Sequence, residues 1–361
     1  MSREVAQTPA TAFHAAALFT SARLTGMSTE TGAKDDALPP TVADGSGSAY
    51  KFTPIDGGKQ SFPTLQTEEA KEALLRWNLK PFMQAKAFRF DQAYVPERVD
   101  AFMRDFFASP EVQAAAPVCT GPGQHTTYHT GEFGPLGDVP TGSVKCRRLP
   151  TTVLRLDFFD RLKDEGIVRH YGDNQTDIAK CLDVMCNGIL VSDRLRKMLL
   201  DESSDEWCVY TEAERAELIF HVMKRLAVGG GMNQWDDSMD LYLSLTKQLY
   251  KGAQACGTRR SPVCTRLCTC LHHPPHHAPH PRAAEPSFSF HYAAAFADLV
   301  TVSKTAAGSL QVSSHTYEVE SVTGSSASLF PRQNAHNFCY VAVDPLAKIV
   351  KVWYCAWFPM M

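Results

Sequence analysis

The chain has 361 residues, 36 basic and 39 acidic, for a formal charge of −3, so overall electrostatics give it no reason to bind nucleic acid or an anionic membrane. Its 44% hydrophobic content is enough for a substantial core, and no stretch approaches the roughly 20 consecutive apolar residues that span a bilayer. Eleven cysteines, an odd number without a secretory signal, read as reduced thiols of a cytosolic protein.

Residues 1–48 are rich in Ala, Ser, Thr, Gly and Pro without periodicity and read as a disordered tail. Met1–Thr25 shares the acid-poor composition of transit peptides. A disordered tail, or extra sequence ahead of a start at Met27, is expected. Folded sequence is expected from Tyr50, with Tyr50, Phe52 and Ile55 opening a short strand.

Thr67 ahead of Glu68 and Glu69 predicts a helix over 67–78, followed by a strand over 85–90. Pro96 begins a helix in which Val99, Phe102, Met103 and Phe106 share a face, and Pro110 ends it. Residues 111–150 read as loop, and a helix over 153–165 with Leu154, Phe158 and Leu162 on one stripe stops at Gly166. Ser192 caps a short helix. Thr211 and Glu214 form a capping box for a helix reaching Gly229-Gly230-Gly231, and a last helix covers 237–250.

From Leu299 the period shifts towards two. Leu310 and Val312, then Tyr317 and Val319 on the other parity, suggest a strand broken by a bulge or bend. Phe338–Val343 and Ile349–Tyr354 flank a turn-forming stretch and predict an antiparallel hairpin. Helices first and strands last predict an α+β fold with a C-terminal antiparallel sheet, one domain over 50–355.

Four patches occur in order along this frame: Gln84-Ala85-Lys86-Ala87-Phe88-Arg89-Phe90-Asp91-Gln92; Ile189 to Leu200 around Ser192-Asp193-Arg194-Leu195-Arg196-Lys197; Gly229-Gly230, Asn233-Gln234 and the Tyr242 to Lys251 helix; and Asn337-Phe338-Cys339-Tyr340 with Val343-Asp344-Pro345. In these the chain resembles the cilia- and flagella-associated protein 300 family, over most of residues 50–251 and 298–355. The resemblance implies a protein of the cytoplasm and of motile cilia or flagella that supports assembly of outer and inner dynein arms and travels by intraflagellar transport. It also implies protein partners among cytoplasmic dynein-arm assembly factors of the PIH-domain type. It brings no catalytic, cofactor-binding or metal-binding residue.

The pattern departs from the family over 252–297, which holds Cys256, Arg259-Arg260, Cys264, Cys268, Cys270, His272-His273, His276-His277 and His280 among prolines. Thiolate and imidazole are ligands for zinc or copper, but only Cys264 and Cys268 fit a C-x₂₋₄-C pair, so a disordered insert is expected and a metal site over 256–280 is the alternative.

The remaining chemistry-bearing residues read as structural. Gly229-Gly230-Gly231 follows a helix and lacks the Gly-Lys-Ser/Thr of a phosphate loop, Asp236-Asp237 read as a helix cap, and His221 as a satisfied or exposed side chain. His336 and Cys339 lack the accompanying turn of a Cys-His nucleophile, and Arg147-Arg148 and Arg194, Arg196, Lys197 read as solvated faces. A binding protein without catalytic function is therefore expected, with an enzyme using Cys339 or Asp236-Asp237 as the rival. The sheet end with Tyr354 and Trp357 is the expected partner surface, its aromatics too crowded all to be buried.

Overall fold

Strand β1 (Phe52–Pro54) leads to helix α1 (Glu68–Arg76), which Thr67 caps by accepting a hydrogen bond from the Ala70 amide at 3.2 Å. Strand β2 (Met83–Phe90) follows, then α2 (Val99–Ala108) with its apolar stripe inward, and α3 (Pro110–Ala115). Pro110 thus ends one helix by starting another, where its missing N–H costs nothing. The computed structural model describes residues 49–55, 62–80, 82–122, 131–137, 144–171, 175–232, 234–251, 299–304, 310–322 and 329–359. The expected disordered tail 1–48 and the whole of the insert 252–297 lie outside the described residues, including every metal-ligand candidate between Cys256 and His280.

The stretch read as loop, 111–150, is structured. It contains α3, the ribbon of β3 (Pro117–Pro122) and β4 (Gly131–Pro135), and β5 (Val144–Leu149). Likewise the helix expected over 153–165 is only a 3₁₀ turn, Leu156–Phe159, and one turn of α4 (Arg161–Asp164). Two ribbons that alternation did not signal come next, β6 (Val168–Tyr171) with β7 (Gln175–Ile178) and β8 (Lys180–Cys186) with β9 (Ile189–Asp193).

Helix α5 (Arg194–Leu200) is capped by Asp193, one residue beyond the expected Ser192, through the Arg196 amide at 2.8 Å. The capping box of Thr211 and Glu214 is present on α6 (Glu212–Arg215), but the helix breaks before α7 (Leu218–Val228). Glu217 in the break accepts from the amide of Thr152 at 3.0 Å, a long-range bond that a continuous helix would direct elsewhere. The last helix, α8 (Asp240–Lys251), is followed by a small ribbon of β10 (Val302–Lys304) and β11 (Leu310–Val312). The parity change after Val312 therefore separates two sheets, because β12 (His315–Val322) joins the large one.

That sheet is antiparallel with order β1-β2-β14-β13-β12-β5, where β13 (Phe338–Asp344) and β14 (Ile349–Cys355) form the expected hairpin. Asp344 Oδ1 holds the turn by accepting from the amides of Leu346 and Ala347 at 3.0 Å. Every residue of β13 and β14 is buried, as central strands covered on both faces must be. On one face Phe338, Tyr340 and Trp353 pack with α1, α5, α7 and α8; on the other Cys339, Val341, Val352 and Tyr354 pack with α2 and α3. Helices and an antiparallel sheet in two layers of core make the fold α+β, all within one compact unit, Ser48–Met361.

Candidate functional site

Helix α7 is apolar all round except for His221, Lys224 and Arg225, which the helical repeat puts on one stripe. From this stripe His221 and Arg225 meet a polar seam on β12 and β13 in an otherwise apolar interface. Tyr340 Oη takes a hydrogen bond from Arg225 Nε at 2.9 Å, lies 3.1 Å from His221 Nδ1, and donates to Glu318 Oε1 at 3.4 Å. Since that hydroxyl has one proton and it goes to Glu318, His221 contributes its Nδ1 proton. Arg147 from β5 and Arg225 also pair with Glu318.

Burial opposes the charge of Glu318, but His221, Arg147 and Arg225 outweigh it and hold its carboxyl below the usual range. Burial lowers His221 to about 4, against the pull of Glu318, so the imidazole is neutral. Burial also lowers Lys224 to about 8, helped by Arg225 and Arg215. A polar cleft of about 410 Å³ opens beside the seam, lined by Arg225, Glu318, Glu320, Gln333, Asn334 and Asn337 among others. The seam fastens α7 to the sheet. Its strongest acceptor is already shared by two guanidinium groups and a phenol.

The sequence candidates do not assemble into a reactive constellation. Cys339 is fully buried within the second core, and burial raises its thiol far above the usual range. His336 instead donates to the Gly229 carbonyl at 2.7 Å and lies against Trp357. Gly229-Gly230-Gly231 does stop α7, with Gly229 at φ 66°. A Cβ on Gly230 would come within 2.2 Å of the Asn78 carbonyl oxygen and 2.7 Å of the Trp357 indole.

Three readings are corrected. Asp236 and Asp237 are not the cap of α8: Asp236 Oδ2 accepts from Trp77 Nε1 at 2.6 Å, Asp237 pairs with Lys180, and Ser238 bonds the Asp240 amide. Arg196 is no solvated side chain. It is 1% exposed and bonds Asp193, the Ala227 carbonyl and Tyr242. Tyr354 does not form a partner surface either, because it lies on a central strand and donates to the Pro117 carbonyl at 2.8 Å. Trp357 is partly buried on the glycine turn.

The exposed apolar surface lies elsewhere. On the β8–β9 ribbon Leu182 is 92% exposed, Met185 64% and Leu190 54%, and Met185 sits directly opposite Leu190. Sequence reasoning missed this patch, since apolar residues that face solvent look like core residues until the partner face is known. Among the described residues, no group of three or more His, Cys, Asp or Glu could hold a metal ion, and no helix is long and apolar enough to cross a membrane.

A family model described as cilia- and flagella-associated protein 300 matches residues 49–260 and 292–355, with its interruption inside the 252–297 segment. A protein of that name from Chlamydomonas reinhardtii is 28% identical over 313 residues, 85% of this chain and 98% of its own. One from Paramecium tetraurelia is 29% identical over 193 residues, 54% of this chain and 69% of its own. No solved structure matches the chain. On a match that takes in both the helical layers and the sheet, the chain belongs to the cilia- and flagella-associated protein 300 family.

Proposed function

We propose that this protein is a non-catalytic adaptor or assembly factor of motile cilia and flagella, present in the cytoplasm and the cilium, that serves assembly or transport of outer and inner axonemal dynein arms. The observation that carries the binding role is the exposure of Leu182, Met185 and Leu190, apolar side chains of one ribbon that its own fold does not bury. The ciliary setting rests on the relatives' names, and the dynein-arm step on the resemblance. Its partners on this reading are assembly factors of the PIH-domain type and the intraflagellar transport machinery.

The enzyme alternative draws less support. The thiol of Cys339 lies in an apolar core with its proton held on, and Asp236 is engaged by Trp77 and Arg76. Affinity purification from cells regrowing cilia tests the proposal. Recovery of dynein-arm subunits and their assembly factors is expected, reduced by a Leu182→Ser, Met185→Ser, Leu190→Ser variant that stays folded. Recovery of proteins with no ciliary connection would contradict it.

A further inference from the structure

Strand β2 is longer than its neighbour β1, which pairs only with Phe88, Arg89 and Phe90. The ladder shows which backbone groups the shortfall leaves open. Phe90 N–H donates to the Lys348 carbonyl and Phe82 O accepts from Ala356, so the even positions of β2 point at β14. Ala87 O accepts from Ile55 and Met83 N–H donates to Leu79, so the odd positions point outward. Ala85 lies between them. Its N–H and C=O face outward, and among the described residues neither has a partner.

A cleft of about 290 Å³ runs along this edge, with Phe62, Leu65, Leu74 and Met83 supplying its apolar wall. Lys71, Lys80 and Lys86 line it as well, and among the described residues no carboxylate does. Lys71 is paired with Glu68, whereas Lys80 and Lys86 have no ion-pair partner among the described residues. An open edge invites strand addition, and lysines on an edge repel a second copy carrying the same charges. The same lysines attract an acidic strand.

We infer that the open edge of β2 at Ala85 docks an extended, acidic segment of a partner protein, which adds to the large sheet as a strand. The segment's backbone pairs with Ala85, its carboxylates reach Lys80 and Lys86, and an apolar side chain enters the cleft beside Met83. The inference rests on the binding reading proposed above but names a surface separate from the β8–β9 ribbon. A failed peptide assay would leave the purification result standing, and the reverse also holds.

The test uses the full chain and a fluorescein-labelled peptide of alternating Glu and Val, followed by anisotropy. Saturable binding is expected. A Lys-for-Glu counterpart, and a peptide N-methylated at alternate amides, should each bind at least tenfold more weakly. The Lys80→Glu, Lys86→Glu variant should lose at least tenfold, and so should Ala85→Pro, which removes only an outward N–H. If Ala85→Pro fails to fold, the lysine variant and the N-methylated peptide decide. Hydrogen exchange at the Ala85 amide should be fast in the free protein and slowed by the peptide. Absent or charge-independent binding would overturn the inference. So would an Ala85 amide already protected in the free protein, which would mean that the chain itself or a second copy covers the edge.

Discussion

The amide of Leu299 donates to the carbonyl of Leu249 at 3.1 Å, and Val300 does the same to Tyr250. The chain therefore returns to the last turn of α8 at the place where it left. The ends of whatever lies between are already together, and the length of the connection adds little to the closure entropy. Deleting residues 261–291, the stretch between the two family-matched segments, should shift the thermal midpoint by no more than a few degrees. Differential scanning calorimetry of both forms checks this. If the segment is instead a metal module, the full-length protein will carry stoichiometric zinc and unfold on chelation.

Phe102 is fully buried, with Tyr50, Phe52, Phe90 and Tyr94 packed edge-on around its ring. Phe102→Ala should cost about 3–5 kcal/mol, the sum of lost transfer energy and the cavity left among four aromatic neighbours. Denaturant titration would read it, and a loss below about 1 kcal/mol would mean that the site collapses around the smaller side chain.

Arg196 and Asp193 form an ion pair at 2.8 Å with both side chains at most 3% exposed. Such a pair adds little net stability, but removing one partner strands the other charge. Arg196→Ala should destabilise the fold by about 3–5 kcal/mol, since Asp193 Oδ2 and the Ala227 carbonyl both lose the guanidinium while the Asp193 charge stays buried. A double replacement by apolar residues should recover part of that loss. A single variant as stable as the parent would show that water reaches Asp193.

His221 sets a pH dependence. Its folded pKa of about 4 lies below the ordinary value of 6.5, so protons bind more readily to the unfolded chain between those limits. Stability from this group is present above pH 6.5 and is lost as pH falls towards 4, by about 3 kcal/mol in all. Glu318, whose pKa is also lowered, adds a loss in the same direction at lower pH. Melts between pH 7 and 4.5 should show a steeper decline for the parent than for His221→Asn. Equal slopes would remove His221 as the cause.

The helices and the central hairpin were legible in the sequence where one face is buried and the caps are polar. Thr67 and the Thr211–Glu214 box mark true starts, and Phe102, Met103 and Phe106 face the core as their spacing predicts. Strand β5 was hidden because it is an edge, where Lys145, Arg147 and Arg148 interrupt the alternation and find partners across the sheet in Glu320, Glu318 and His315 respectively. Prolines and glycines at 117, 121, 122, 134 and 135 disguised the β3–β4 ribbon, although the ends of a two-stranded ribbon tolerate them. Of the candidate surface nothing was legible. The exposure of Leu182 depends on what fails to cover it, and the buried state of Arg196 and Tyr354 depends on strands and helices distant in the chain.

The dynein-arm role itself is tested most directly by electron microscopy of axoneme cross-sections from a knockout. Cilia of near-normal length with outer and inner arms missing or reduced are expected, restored by the full-length protein. Normal arms on both rows would contradict it.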